Sequence, residues 1–585
     1  MSSCLAGMWS GSARAPSPAT DGWMRMNDLL LVGRWMDATD RDLGKDTHGP
    51  QRSLSNPHHT NVPMEMELWP WPIWAALAVA TLLYYLASPT RSRSAGTRRM
   101  RMPPGPTPLP VAGNLLGLRR GNLHHTLARL ARAHGPVMTL KLGLTTAVVV
   151  SSRDAAREAF TRHDRRLAAR AVPDATRALG FADRSMVWLP SSDPRWKGLR
   201  GIAAAHAFSP RALAAARGVR ERKVRDMLGY LRGRAGREVD VGQALYAGAL
   251  NLVSSALCSV DVVDMGAAEP GQGVRELVED LVSVIAKPNV SDLVPFLRRL
   301  DLQGWRRWSA TRMEKILRVL DGIVDRRMAL AAAAANASTE EKLSHGDFLD
   351  VLLELLSTGK IARDGLTALL FDLFTAGSDT MAITVEWAMA ELFRNPGVMA
   401  KLRAEIDGAL GGQETIGEAD AAGLPYLQAV VKEAMRLHPV APILLPHRAV
   451  EEGVEIGGYA VPEGSTVIFN AWAIMRDQAA WERPDEFVPE RFLGTPDRVP
   501  VDFRGKAFEF IPFGSGRRLC PGLPMAERVV PFILASLLHA FEWRLPDGVS
   551  AEELDVSERF TTANVMAVPL KAVPVVVTLS MNVTT

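Results

Sequence analysis

One cysteine in this sequence lies in a loop that exposes backbone. From Phe510 to Gly522 the chain reads FIPFGSGRRLCPG, with three glycines and two prolines around Cys520. The three cysteines, Cys4, Cys258 and Cys520, are too few and too scattered for a disulfide framework. This points to a reducing compartment and leaves Cys520 free to be a ligand. A second anomaly lies in residues 364–394, DGLTALLFDLFTAGSDTMAITVEWAMAELFR, an apolar stripe that stops at Asn395 and Pro396 as a helix does. Inside it, Gly377 costs about 1 kcal/mol against Ala, and Ser378, Asp379 and Thr380 compete for backbone hydrogen bonds. Either a kink is relieved by packing, or Gly377 lets a ligand approach the backbone while Thr380 and Asp379 offer a hydroxyl and a carboxyl to a proton path.

The elements that must position these residues are mostly helical. Helical period runs through NLHHTLARLARAHG, Pro210–Arg234, Arg275–Ile285 and Trp305–Ala335. VMTLKL and AVVVSS, separated by GLTT, predict a hairpin over Val137–Ser152; glycine-punctuated runs over Arg448–Asn470 and the C-terminal VMAVPLKAVPVVVTLS predict further strands. The body is therefore mainly α with a smaller β part. At 585 residues and 47% hydrophobic it can bury a large core, which excludes disorder of the whole chain. A net charge of +4 without a basic arm or acidic tail gives no reason to expect a nucleic-acid partner.

Residues 68–87, LWPWPIWAALAVATLLYYLA, carry no charge, have Trp and Tyr at the two ends, and precede Arg91, Arg93, Arg98, Arg99 and Arg101. This reads as a single-pass transmembrane anchor over 64–87 with the body on the cytosolic side, so the triplets at Asn289, Asn336 and Asn582 are expected to carry no glycan. Residues 1–63 are expected to be a disordered extension; an organelle-targeting peptide is the alternative, against which six aspartates from Asp21 to Asp46 speak. A basic and proline-rich linker, 88–113, follows, and a single large domain occupies 114–585.

KEAMRLHP sets Glu433 and Arg436 three residues apart on one helix face, WERPDEFVPERF follows at Trp481–Phe492, and the cysteine loop fits F-x-x-G-x-R-x-C-x-G at Phe513, Gly516, Arg518, Cys520 and Gly522. Five fixed positions arise by chance on the order of once in several thousand chains of this length. With these motifs in this order after A-G-x-D-T, the chain resembles a cytochrome P450 of the plant microsomal type from the anchor to its C-terminus. More narrowly it is similar to the terpenoid-oxidising group that includes geraniol 8-hydroxylase-like enzymes, through NLHHTLARLARAHGPVMTLKLG, AAAHAFSPRALAAAR and NAWAIMRDQAAWERPDEFVPERF.

The resemblance implies a haem b cofactor whose iron takes Cys520 as its ligand. Glycines at 514, 516 and 522 would leave backbone N–H groups free to stabilise the thiolate, and Phe513 would shield it from water. It further implies that Thr380 and Asp379 deliver protons to bound O2, that Gly377 makes room beside the haem, that Trp196, Arg200, Arg448 and Arg518 hold the haem propionates, and that Glu433, Arg436 and Arg491 are a structural charge cluster. Met381 and Met475 depart from the pattern, and Met381 is expected to crowd the oxygen side. Electrons would come from NADPH through NADPH-cytochrome P450 reductase at the endoplasmic reticulum membrane, with Lys197 and Arg517 as docking cations. The pocket is expected from Val172–Pro190, Leu370–Thr380, Val440–Leu445 and Thr561–Val565, apolar enough for a small lipophilic terpenoid, a diterpenoid or monoterpenol. A phenolic or fatty substrate, an O2-independent isomerase or dehydratase, and a non-catalytic carrier are the alternatives.

Overall fold

The computed structural model describes residues 101–577 apart from 120, 337–344, 411, 412, 414 and 495–500. The anchor at 64–87, the extension at 1–63 and the linker up to residue 100 lie outside the described residues. The body is mainly helical, with a five-stranded sheet and three smaller ones among the described residues.

The sheet begins with the expected hairpin. Val137–Leu142 pairs antiparallel with Thr145–Val150, from Val137 opposite Val150 to Leu142 opposite Thr145. Thr145–Val150 then takes Thr466–Phe469 as a parallel partner, followed by His447–Arg448 and Ala169–Arg170 in antiparallel order. One face packs on the helix Leu123–His134 through Leu127, Met138, Leu140, Ala147, Val149, Ile443 and Ile468. Side chains along a strand point alternately to the two faces, so Met138 and Leu140 on the first strand and Ala147 and Val149 on the second present that face.

The long helix runs unbroken from Arg363 to Arg394, 32 residues, so it spans about 48 Å at 1.5 Å per residue. The polar stretch in its middle does not break it. The hydroxyls of Thr375, Ser378, Thr380 and Thr384 donate to the carbonyls of Phe371, Phe374, Ala376 and Thr380 at 2.8, 3.0, 2.8 and 2.8 Å. These side chains bond within the helix instead of competing with it. Against it lies Val241–Cys258, buried almost all round; a Cβ on Gly377 would come 3.3 Å from Val253, so glycine lets the two helices close. Val241–Cys258, Arg363–Arg394 and Leu523–Ala540 are each long and apolar enough to cross a membrane, yet most of each is buried within the domain.

The charge cluster forms as a buried tie between the helix Pro425–Leu437 and the segment around 475–491. Glu433 and Arg436, both fully buried, meet in a paired contact of 2.7 and 2.9 Å, and Arg491 Nε adds a third bond to Glu433 at 2.9 Å. Arg436 also donates to the carbonyls of Met475, Pro484 and Glu486, which ties the segment around 484–491 to the helix Pro425–Leu437. Met475 is fully buried, and its carbonyl takes part in this tie.

Candidate active site

Cys520 stands three residues before the start of the helix Leu523–Ala540. Its backbone N–H donates to Phe513 O at 3.0 Å, closing the loop, and the Phe513 ring packs on Phe503 with centroids 5.3 Å apart. The turn requires Gly514 at φ 72° and Gly516 at φ 65°, and a Cβ at Gly516 would lie 2.3 Å from Asp164 Oδ1. Burial pushes the Cys520 thiol up. The N–H groups of Gly522 and Leu523 at the helix start, with Arg200 nearby, pull it back toward the thiolate.

Cys520 faces a cavity of about 350 Å³. One wall is the long helix, which contributes Asp372, Ala376, Gly377, Thr380, Met381 and Thr384. Asp372, Ala376, Thr380 and Thr384 follow at intervals of four, so one helix face lines the space. Met186 and Val187 close one side; Val440, Ala441, Leu444 and Leu445 close another. Three of the four expected segments thus supply lining. Thr561–Val565 does not; it stands behind the lining, where Asn564 N–H donates to Val440 O at 2.8 Å and Trp387 Nε1 donates to Asn564 O at 2.9 Å.

One end of the cavity gathers Arg170, Arg200, His447 and Arg518. Arg170 donates to Leu445 O at 2.5 Å, Arg200 to Leu519 O, and Arg518 to Ala168 O at 2.7 Å and to the carbonyl of Leu189. All of these partners are neutral carbonyls. Burial pushes Arg170 down to about 9 and Arg518 down to about 10, with mutual repulsion among Arg170, Arg200 and Arg518 adding to it. Burial and the neighbouring cations also drive His447 well below the usual histidine range. Behind them Trp196 is buried with its ring 4.9 Å from the Arg518 guanidinium carbon, and its Nε1–H has no partner; neither does the buried Nε of Arg170. Three desolvated cations and orphaned donors around an otherwise apolar space fit a flat apolar ligand with carboxylates at one edge.

Four expected site residues stand differently from the reading of the sequence. Arg448 is exposed and off the cavity, because it alternates with His447 on a two-residue strand and His447 takes the inward face. Asp379 is buried but does not line the cavity; one position before Thr380, it turns toward the field of Arg275 and Glu279. Burial pushes it up to about 6 against the pull of Arg275. Gly516 shapes the loop against Asp164, and Trp196 packs behind the arginines; neither lines the cavity. Thr380, Gly377, Met381, Phe513, Gly514, Gly522, Arg200, Arg518 and Cys520 all do. The reading missed Arg170, His447 and Asp372. The Asp372 carboxylate accepts from Ser185 Oγ at 2.8 Å and from Met186 N–H at 2.7 Å, and burial pushes it up to about 7.

A helical body closed around a cavity of this chemistry, lined by a free thiol and by a threonine of the long helix, is the arrangement of a haem-thiolate oxygenase. Residues 103–567 match the family model described as Cytochrome P450, and the chain belongs to that family. Similar curated proteins include Cytochrome P450 76M5 of Oryza sativa subsp. japonica, 68% identical over 87% of this chain and 99% of the relative. Ent-cassadiene C11-alpha-hydroxylase 1 of the same plant is 62% identical over 87% of this chain and 99% of its own length. Cytochrome P450 76C2 of Arabidopsis thaliana is 41% identical over 84% and 96%. The family implies a haem iron and an oxygenase activity.

Proposed function

We propose that this protein is a plant terpenoid monooxygenase that uses Cys520 as the thiolate ligand of haem b and hydroxylates a diterpenoid-sized substrate. Haem bound in the cavity supplies O2 activation and insertion of one oxygen atom into a C–H bond. The observation that carries the reading is a single, mostly apolar cavity lined at once by Cys520, by Thr380 of the long helix and by Arg170, Arg200 and Arg518, whose partners are neutral carbonyls. Arg170, Arg200, His447 and Arg518 would hold the propionates with Trp196 Nε1–H, and Gly377 would leave room over the ring face. The N–H groups of Gly522 and Leu523 would stabilise the thiolate.

Thr380 holds a hydroxyl at the cavity wall, bonded to Ala376 O, from which a proton can be passed. Asp379, at about 6, can exchange protons near neutral pH from the far side of the helix. Ala376, Met381, Val440 and Leu444 exclude water and favour a hydrocarbon skeleton. The names of two relatives 62% identical to this chain, ent-cassadiene C11-alpha-hydroxylase 1 and oryzalexin D synthase, support a diterpenoid over a monoterpenol.

The uncharged span at 68–87 and the arginines after it support a single-pass anchor in the endoplasmic reticulum with the domain in the cytosol. The exposed Phe296, Leu300 and Leu302 support the same membrane orientation, as do Leu109, Val111, Leu116 and Leu144 on the first sheet side. The Leu144 N–H donates to Leu293 O at 2.9 Å, which links the hairpin turn to the segment that precedes Phe296. Two electrons per turnover would come from NADPH through NADPH-cytochrome P450 reductase. Lys197 is exposed, whereas Arg517 pairs with Asp164 at 3.3 Å, so Lys197 is the freer docking cation.

The test is turnover in microsomes holding this protein, NADPH and a plant reductase, with labdane-related diterpenes and monoterpenols offered and products weighed by mass spectrometry. A diterpene product heavier by one oxygen is expected. An intact reduced-CO spectrum with no terpene product would overturn the substrate class and turn the search to phenolic and fatty molecules.

A further inference from the structure

Away from the cavity, the first turn of the helix Leu123–His134 meets the strand Glu558–Phe560. His124 Nε2 lies 2.8 Å and His125 Nε2 2.9 Å from the same oxygen, Glu558 Oε2. Neighbouring residues on a helix normally diverge by about 100°. Here both rings converge because the strand is pinned against the helix start: Asn122 Nδ2 donates to Glu558 O at 2.7 Å, and Phe560 N–H donates to Asn122 Oδ1 at 3.1 Å. Trp472 packs against both rings, with centroids 5.7 and 4.5 Å away.

We propose that His124, His125 and Glu558 form a binding site for a zinc-class divalent cation, joining the helix Leu123–His134 to the hairpin of Glu558–Phe560 and Asn564–Met566.

The three donor atoms lie within 4.8 Å of one another. Tetrahedral zinc with bonds of about 2.0–2.2 Å sets its ligand atoms about 3.3–3.5 Å apart, so the two nitrogens need only spread slightly from the shared oxygen. Two imidazoles and a carboxylate are a ligand set that suits zinc, and a fourth position is left for water. The route in is open, because the His125 side chain is 45% exposed while His124 is fully buried. Both histidines face the same carboxylate oxygen, Glu558 Oε2. His438 Nδ1 steadies the other oxygen at 3.4 Å, as an outer partner does for a ligating carboxylate. The second nitrogen of His124 is buried without a partner, so it is free to carry the ring proton when Nε2 exchanges its hydrogen bond to Glu558 for a cation.

The test uses the full-length, untagged, haem-loaded protein equilibrated with zinc buffered at micromolar free concentration. Bound metal is counted by mass spectrometry and its ligands are read from the zinc K-edge. One zinc per chain is expected, with an edge spectrum of two imidazoles and oxygen, and zinc should raise the melting temperature by mass action. His125→Ala, at a part-exposed position off the cavity, should lower zinc affinity at least tenfold and abolish that shift while leaving the reduced-CO spectrum intact. A second sequence pair, His58 and His59, is the control: replacing both by Ala should change neither readout. Wild-type protein with an intact spectrum but no stoichiometric zinc would overturn the proposal. So would His125→Ala protein that binds as much zinc with the same edge.

Discussion

His447 and Arg448 are consecutive on one strand and face opposite ways: His447 is buried on the cavity and Arg448 is exposed. The cationic end of the cavity is completed instead by Arg170, which stands opposite His447 in the neighbouring strand. Arg448→Ala should therefore leave haem content within about twofold of the parent. Arg170→Ala removes a buried charge-assisted donor and should lower haem retention by about tenfold, a loss of about 1.4 kcal/mol. Haem per chain after purification, from the pyridine haemochrome, decides between them; equal loss in both would return Arg448 to the site.

Thr380 carries a hydroxyl on the cavity wall four residues beyond Ala376. Thr380→Ala should cut product formation by about 10- to 100-fold, the scale of a lost proton-transfer group, with the reduced-CO spectrum unchanged. NADPH consumption should fall less than product, since electrons still arrive while oxygen is lost as peroxide. Product and NADPH falling together would assign Thr380 to substrate binding.

Asp379 faces away from the cavity, toward Arg275. Asp379→Asn should lower turnover and flatten its pH dependence around about 6 without weakening substrate binding, because the carboxyl touches no cavity space. A weakened substrate-induced spectral shift would contradict that placement.

Glu433 is shared by Arg436 and Arg491, and both Glu433 and Arg436 are fully buried. Glu433→Ala leaves two guanidiniums without their carboxylate, and removing one partner of a buried pair costs about 3–5 kcal/mol. Little folded holoprotein should accumulate, and the urea midpoint of what does should be well below that of the parent.

Asp372 is protonated up to about 7 in the native state, whereas an unfolded aspartate releases its proton near 3.8. The native state thus binds the extra proton between those values, and the contribution of this group is fully present below about 4 and is lost as pH rises toward 7. The slope is at most about 1.4 kcal/mol per pH unit. Melting temperatures of Asp372→Asn and the parent should diverge in favour of the variant from pH 5 to pH 7 and run parallel above pH 8. A gap that stays constant across this range would show that Asp372 is already ionised.

Much of the framework could be read without coordinates because its signals are local. The glycines that flank Cys520, the apolar stripe from 364 to 394, and the two apolar runs separated by GLTT in Val137–Ser152 are each set by neighbours a few residues apart. The helix Val241–Cys258 escaped that reading: apolar on nearly every side, it carries no stripe for periodicity to detect.

The chain by itself determined that a cysteine sits in a glycine-rich loop, that a long helix carries Gly377, Asp379 and Thr380, and that Glu433 and Arg436 share a helix face. Only the tertiary structure decided which polar residues meet. Strand pairing joins 145–150 to 466–469 across more than 300 residues, and the facing of a two-residue strand turns His447 inward and Arg448 out. A turn of about 100° separates Thr380 on the cavity from Asp379 behind it. Such choices depend on long-range register and on which face finds a partner to bury against, and neither leaves a trace in local spacing.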